Sequence, residues 1–260
     1  MKFSVMVSIG LLTCSGAMAE ELRIGTSADY PPWESVNSDN EIVGFDRDFG
    51  DELCKRIDAD CTWNNQTFDG LLPGLQVGKF DAVISGISIN EERSQMVDFT
   101  VAYADAPNNI VANSTSNFGE IDGPESLVDA MSGKTFGVQV GSTHEQVVRA
   151  HFGDSEVRVY DRPDQVVNDL IAGRIDAGLM ERSAWETFVN GDYKDELKYV
   201  GPLLSSADFP EFGQGQAVAL SKDSDELQGR MNEAIEGMLS DGTVAAMSEK
   251  WFGYDISAKN

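Results

Sequence analysis

From residue 22 onward, short runs of apolar and β-branched residues alternate with segments whose apolar positions recur at helical spacing. "LRIGTS" (22–27) reads as a strand, "FDRDFGDELCKRI" (45–57) as an amphipathic helix and "CTWNNQ" (61–66) as a second strand. "FDGLLPGLQVG" (68–78) follows as a helix stopped by Gly78, and "FDAVIS" (80–85) as a third strand. A βαβαβ series of this kind builds a mostly parallel sheet with helices on both faces, and ligands bind beyond the carboxyl ends of its strands.

The pattern then repeats. "KTFGVQV" (134–140), "EVRVY" (156–160) and "IDAGLM" (175–180) read as strands, separated by helices over "STHEQVVRAHF" (142–152) and "PDQVVNDLIAG" (163–173). The two halves echo each other locally. Leu75-Gln76-Val77-Gly78-Lys79-Phe80-Asp81-Ala82 matches Leu170-Ile171-Ala172-Gly173-Arg174-Ile175-Asp176-Ala177 as helix, glycine cap, basic residue and Asp-Ala strand. The echo places Ser85–Ser88 and Glu181 at equivalent strand ends. Between the halves, "NSTSNFGEIDGPESL" (113–127) is polar and reads as a loop. "EFGQGQAVAL" (211–220) is a further strand, and residues 225–252 read as two closing helices broken at Asp241-Gly242. That is more strand and helix than one lobe needs. The expected α/β architecture therefore has two lobes, 20–106 with 214–260 and 107–213, each a mostly parallel sheet with helices on both faces. Two connections, near 104–109 and 208–216, would form a hinge.

Residues 1–19 change the setting. Lys2, an apolar run and Ala17-Met18-Ala19 have the form of a secretory signal with a small-x-small cleavage site. The alternative is a lipid-modified Cys14 in Leu11-Leu12-Thr13-Cys14. Either way the mature chain works outside the cytoplasm, and the periplasm is the expected compartment. Removing Cys14 leaves Cys54 and Cys61, an even pair that in an exported chain reads as a disulfide, with free thiols as the alternative. Continuous helix would hold their Cα atoms about 10 Å apart, too far for a bridge. The helix must therefore end near Ile57 and turn through Asp58-Ala59-Asp60.

The chain has 44 Asp and Glu against 19 Lys and Arg, a formal charge of −25. No basic face is available for phosphate backbones, so nucleic acid is excluded as a partner. His144 and His151 are the only histidines, no cluster has zinc spacing, and neither G-x-S-x-G nor G-x-x-x-x-G-K-[ST] occurs. No metal or cofactor is expected. Paired carboxylates leave a lyase or glycosidase open.

The remaining chemistry sits at strand ends. Ser88-Ile89-Asn90-Glu91 fits a capping box opening a helix just after Ser88, with Arg93 one turn in as a forked donor. Ser142-Thr143-His144-Glu145 repeats the arrangement in the other half. Two such helix starts suit a small carboxylate, although capping boxes also occur on helices that bind nothing. Glu181 is the candidate partner for an ammonium group, and Tyr30 and Phe68 are candidate aromatic walls.

Taken together, "RIGTSADYPPWES", "VGFDRDFGDELCKRI", "FDGLLPGLQVGKFDAVISGISINEER", "VGST", "LIAGRIDAGLMER" and "DGTVAAMSEKWFG" resemble solute-binding family 3, the periplasmic amino-acid-binding proteins of ABC importers. The similarity is greatest to the lysine/arginine/ornithine- and histidine-binding branch and spans the whole mature chain. The resemblance implies a monomeric two-lobe binding protein that is not an enzyme, closes on a small zwitterion and docks on a membrane permease. It makes Arg93 the clamp for the α-carboxylate, helped by Ser88 and by backbone donors around Ser88 and Thr143. Ser85 and Gly86 become contacts through hydroxyl and main chain, and Tyr30 and Phe68 the aromatic pair around the side chain. Glu181 stands where the family usually has an aspartate for the α-ammonium. A Cys54–Cys61 bridge is typical of the same branch. Three further positions depart from the pattern: Ser27 replaces an aspartate, with Asp29 nearby; Gln139 replaces an apolar residue; Gly86 replaces a serine. A basic ligand is favoured, with glutamine, an opine or ectoine as alternatives. Cyclohexadienyl dehydratase-like enzymes and sensor modules share the fold.

Overall fold

In a computed structural model, which describes residues 19–191 and 193–259, the two strand–helix series build two separate sheets. The expected export signal, Ala19 excepted, and Cys14 lie outside the described residues. The chain starts with β1 (Glu20–Thr26), a small antiparallel sheet of β2 (Asp29–Tyr30), β3 (Glu34–Val36) and β4 (Ile42–Val43), helix α1 (Phe45–Arg56) and β5 (Ala59–Asn65). A 3-10 turn (Phe68–Gly70) leads into α2 (Leu71–Gln76), followed by β6 (Ala82–Val83), α3 (Glu91–Met96) and β7 (Asp98–Phe99). Next come β8 (Asn108–Asn113), α4 (Pro124–Met131), β9 (Thr135–Gln139), α5 (Thr143–His151) and β10 (Glu156–Tyr160). They are followed by α6 (Pro163–Ile171), β11 (Ala177–Glu181), α7 (Arg182–Val189) and β12 (Leu197–Leu204). A 3-10 turn (Pro210–Phe212), β13 (Ala219–Leu220), α8 (Asp225–Ser240) and α9 (Thr243–Phe252) complete the order.

The sheets run β5-β1-β6-β13-β7 and β10-β9-β11-β8-β12. In each, the first strand of its series lies between the second and third in parallel pairing, and the next neighbour is antiparallel. Those antiparallel neighbours, β13 and β8, are the strands the chain enters directly from the other sheet. The local echo in the sequence has a physical basis in this layout. Asp81 and Asp176 each immediately precede the third strand and make the same pair of bonds. The carboxylate accepts from the backbone N–H of Arg23 or Thr135, at 2.8 Å in both cases, and the Asp N–H donates back to that residue's carbonyl. Gly78 and Gly173, at φ 73° and 67°, make the preceding helix stop.

Helices cover both faces of each sheet. On one face of the first sheet, α1 presents Phe45, Phe49 and Leu53 on one stripe to Leu22 and Ile24 of β1 and to Met231, Ile235 and Met238 of α8. Asp46 and Asp48 in the first turn of α1 and Lys55 and Arg56 in the last complement its dipole. On the other face, Leu71, Leu75 and Phe80 pack on Val83. In the second sheet, Val147 and Val148 of α5 lie on one face, and Val166, Val167 and Leu170 of α6 with Trp185 of α7 on the other. Each large apolar side chain fully buried here contributes about 1.5–3 kcal/mol.

The helix holding Cys54 ends at Arg56, and the backbone turns at Asp58 with φ 56°. This brings the Cys54 and Cys61 Cα atoms to 6.2 Å, and the disulfide is formed. Four expectations are corrected. The helix after Ser88 starts two residues later, at Glu91, with Asn90 as its cap accepting from the Arg93 N–H. Ser88 and Ile89 are held extended by pairing with Gly215 and Gln216, which delays the first helical turn. Residues 113–127 are not all loop, because α4 begins at Pro124, a residue whose fixed φ favours a first helical position. The strands read over 80–85 and 211–220 shrink to Ala82–Val83 and Ala219–Leu220.

Candidate functional site

Residues just past the carboxyl ends of β1, β6, β9 and β11 line one cavity between the two sheets. It is a narrow cavity of about 20 Å³. Direct hydrogen bonds hold the two walls together around it. Trp33 Nε1 donates to Ser183 Oγ at 3.0 Å, Asn90 Nδ2 to Gln146 Oε1 at 2.7 Å and Arg93 Nη2 to the Gly141 carbonyl at 3.1 Å.

Arg93 is the cationic pole. Its side chain is buried, yet no carboxylate lies within 4.0 Å of it among the described residues. Its guanidinium donates only to carbonyl oxygens, those of Ser88 at 3.0 Å and Gly141 at 3.1 Å, and lies 5.7 Å from the Phe68 ring centre. Burial lowers its pKa to about 10, with Glu181 and Glu92 opposing that shift. A desolvated guanidinium without a counter-ion is costly in isolation and strongly favours an entering anion. Because α3 has only six residues, its share of the site is this side chain rather than a helix dipole. Opposite it, α5 is capped by Ser142, whose hydroxyl accepts from Glu145 N at 3.2 Å. The first turn, with Thr143 on the cavity, leaves backbone N–H groups without intrahelical acceptors.

Glu181 is the anionic pole. It is buried at the end of β11, directly opposite Asn108 in the sheet register. The Tyr30 hydroxyl donates to its Oε2, and the Glu181 backbone N–H donates to the same hydroxyl at 3.2 Å. Burial, followed by the Glu181 charge, pushes the Tyr30 phenol well above its ordinary range, so it stays a neutral donor. His144 Nε2 lies 3.4 Å from Glu181 Oε2 and 2.8 Å from Asn108 Oδ1.

A third, acidic wall lies under Ser85 and Gly86. Glu34 Oε1 accepts from Ser85 Oγ at 2.6 Å, and Ser85 Oγ accepts from Ser27 N at 3.0 Å. Asp46 accepts from Gly86 N at 2.6 Å and from the Tyr103 hydroxyl at 2.9 Å. Burial, then repulsion from Asp46, raises Glu34 well above the carboxylate range, and burial pushes Asp46 up to about 6. Glu34 is therefore the member of the pair that holds a proton more readily. Asp29 also lines the cavity and is pushed up to about 6 by burial.

All nine candidate residues border this cavity: Tyr30, Phe68, Ser85, Gly86 and Ser88 with Arg93 from the first series, and Gln139, Thr143 and Glu181 from the second. Some of their polar groups are already engaged. The Gly86 N–H is held by Asp46, the Ser85 hydroxyl bridges Glu34 and Ser27, and the Gln139 amide donates to the Asp161 carbonyl at 3.3 Å. Gly86 has φ 54°, a conformation that suits glycine better than the serine of the related pattern. Three lining residues had no role assigned from the sequence: Glu34, His144 and Met180.

Comparison with known proteins identifies the family. The family model for bacterial extracellular solute-binding proteins, family 3, matches residues 22–254. The chain is 36% identical over 251 residues to the putative ABC transporter arginine-binding protein 2 of Escherichia coli K12, covering 96% of this chain and 98% of that one. It is 35% identical to the histidine-binding periplasmic protein of the same organism, over 92% and 90% of the two chains. An ancestral arginine-binding protein bound to arginine superposes with a TM-score of 0.81 at 32% identity, covering 91% of this chain and 100% of that one. With that match spanning nearly every described element, this chain belongs to the bacterial extracellular solute-binding proteins, family 3.

Proposed function

We propose that the protein captures an L-α-amino acid with a cationic side chain, arginine, lysine, ornithine or histidine, and hands it to the membrane permease of an ABC importer. The observation that carries this reading is the buried, carboxylate-free Arg93 sharing one cavity with the buried Glu181. Opposite charges fixed on opposite walls match the two ends of a zwitterion. Tyr30 and Phe68 flank the side chain, and Asp29 and Glu34 give its far end an anionic or proton-releasing wall. The relatives named for arginine and histidine support the same ligand class.

Residues 20–106 with 214–260 form one lobe and 107–213 the other in this reading, and the two passages of chain between the sheets act as the hinge. Ligand meets Arg93 and the aromatic pair first; closure then adds Thr143 and Glu181. The molecule works as an exported periplasmic monomer and performs no reaction. No helix among the described residues is long and apolar enough to cross a membrane.

A thermal-shift panel of the twenty amino acids, ornithine, opines and ectoine tests this directly. The largest rise in midpoint is expected for a basic L-amino acid, since only a bound ligand stabilises the folded state. A rise confined to ectoine or an opine, or turnover of arogenate or prephenate, would contradict it.

A further inference from the structure

His144 joins the anionic pole to both passages between the sheets. Its Nε2 lies 2.8 Å from Asn108 Oδ1, at the start of β8 where the first passage ends. Its ring meets Phe212 edge-on, with centres 5.9 Å apart, on the 3-10 turn within the second passage. The same Nε2 is 3.4 Å from Glu181 Oε2. Both neighbours of Nε2 are acceptor oxygens, so Nε2 carries hydrogen and Nδ1 is the nitrogen that takes a second proton.

We infer that His144 is a positioning residue for the ligand's α-ammonium, and that its protonation competes with the ligand for Glu181. This rests on the amino-acid reading given above. While the imidazole is neutral, it orients Glu181 through a polar contact and leaves the carboxylate charge for the ligand. An imidazolium at the same distance neutralises that charge and sets a like charge beside the incoming ammonium. Ligand binding at Glu181 and protonation of His144 therefore oppose each other, and linkage makes each weaken the other.

The surroundings fix the sign and the pH window. Glu181 faces the ring from β11 and Arg93 acts on it from α3; β8 contributes the neutral Asn108 and the 3-10 turn the neutral Phe212. Glu211 on that turn is engaged with His151 at 2.8 Å, and Tyr30 reaches the cluster only through Glu181. Burial, the largest influence, and Arg93 hold the His144 pKa below its ordinary 6.5, while Glu181 opposes them. A bound ammonium lowers it further by claiming Glu181. Affinity is then full above the free-protein value and is lost as pH falls through it. Asp29 and Asp46, both near 6, titrate in the same window, so the His144 share must be isolated by substitution.

Two measurements test this. In calorimetry with L-arginine, the wild-type Kd is expected to weaken about three- to tenfold between about pH 7.5 and 5.5, within the ceiling of tenfold per unit for one proton. In His144→Gln, which keeps an amide donor but cannot titrate, that ratio should fall to less than half; equal ratios overturn the inference. Separately, NMR follows the His144 imidazole in ligand-free protein, with His151→Gln assigning the second ring. Glu181→Gln should lower the His144 pKa, and an unchanged value overturns the coupling. If L-arginine gives no binding heat, the ligand reading fails and the ligand-free titration alone decides the role of His144.

Discussion

Replacing Arg93 with alanine is expected to weaken binding of a basic L-amino acid at least about a hundredfold, about 2.8 kcal/mol, while the protein stays folded. The two halves of that result come from the same geometry. Among the described residues the guanidinium donates only to the carbonyls of Ser88 and Gly141, so it has no directly bonded counter-ion and an entering carboxylate would be its first. Its removal loses two hydrogen bonds and the contact with Phe68 but also relieves the desolvation of a buried charge. These oppose each other, and the unfolding midpoint should move by no more than about 5 °C. Calorimetry and circular dichroism on the same sample check both halves. Undiminished affinity would remove Arg93 from the carboxylate site, and an unfolded variant would mean that its role is structural.

Glu181→Gln is expected to be nearly as damaging to binding. The amide oxygen can still accept from the Tyr30 hydroxyl, so the wall between the two sheets survives while the charge facing an ammonium disappears. Truncating one side of a buried charge-assisted pair costs about 2–5 kcal/mol, a loss of about thirtyfold or more in Kd. Tyr30 supplies no substitute, because burial, the largest influence on its phenol, still raises its pKa once the Glu181 charge is gone. If Glu181→Gln bound a basic amino acid as tightly as the wild type, the α-ammonium would have to be held elsewhere, with Asp29 the next acid on the cavity.

The sequence made the strand–helix alternation legible because long amphipathic helices such as α1, α6 and α8 carry a clear period. It was also enough to place Ser85–Ser88 and Glu181 at the ends of matching strands, since Gly78-Lys79-Phe80-Asp81 and Gly173-Arg174-Ile175-Asp176 use the same turn chemistry. The Asn90 cap was hidden because Ser88 satisfies the same local pattern. Only the pairing of Ile89 with Gly215, more than a hundred residues away, selects between them. Short strands such as β6 and β13 were overread for a related reason. Apolar runs mark burial, and burial continues outside the regular strands, as at Ile84, Ala217 and Val218.

Glu34 was lost among the 44 acids of the chain. Nothing local distinguishes it; its role comes from Ser85 and Asp46 meeting it from other elements. His144 had a usable signal. The Ser142 cap makes Thr143 the first helical residue and His144 the second, so a side chain adjacent to an expected contact was itself a candidate. The commitment of the Gly86 N–H to Asp46 could not have been read at all, because it depends on how α1 approaches the end of β6.

The central claim is that one cavity reads both ends of an amino-acid zwitterion, with Arg93 on the carboxylate. Calorimetric titration of L-arginine beside agmatine, the same molecule without its α-carboxylate, tests it most directly. The account predicts that agmatine binds the wild type at least about a hundredfold more weakly, and that this gap largely closes in Arg93→Ala. Agmatine binding as tightly as L-arginine, or a gap of the same size in both proteins, would contradict it.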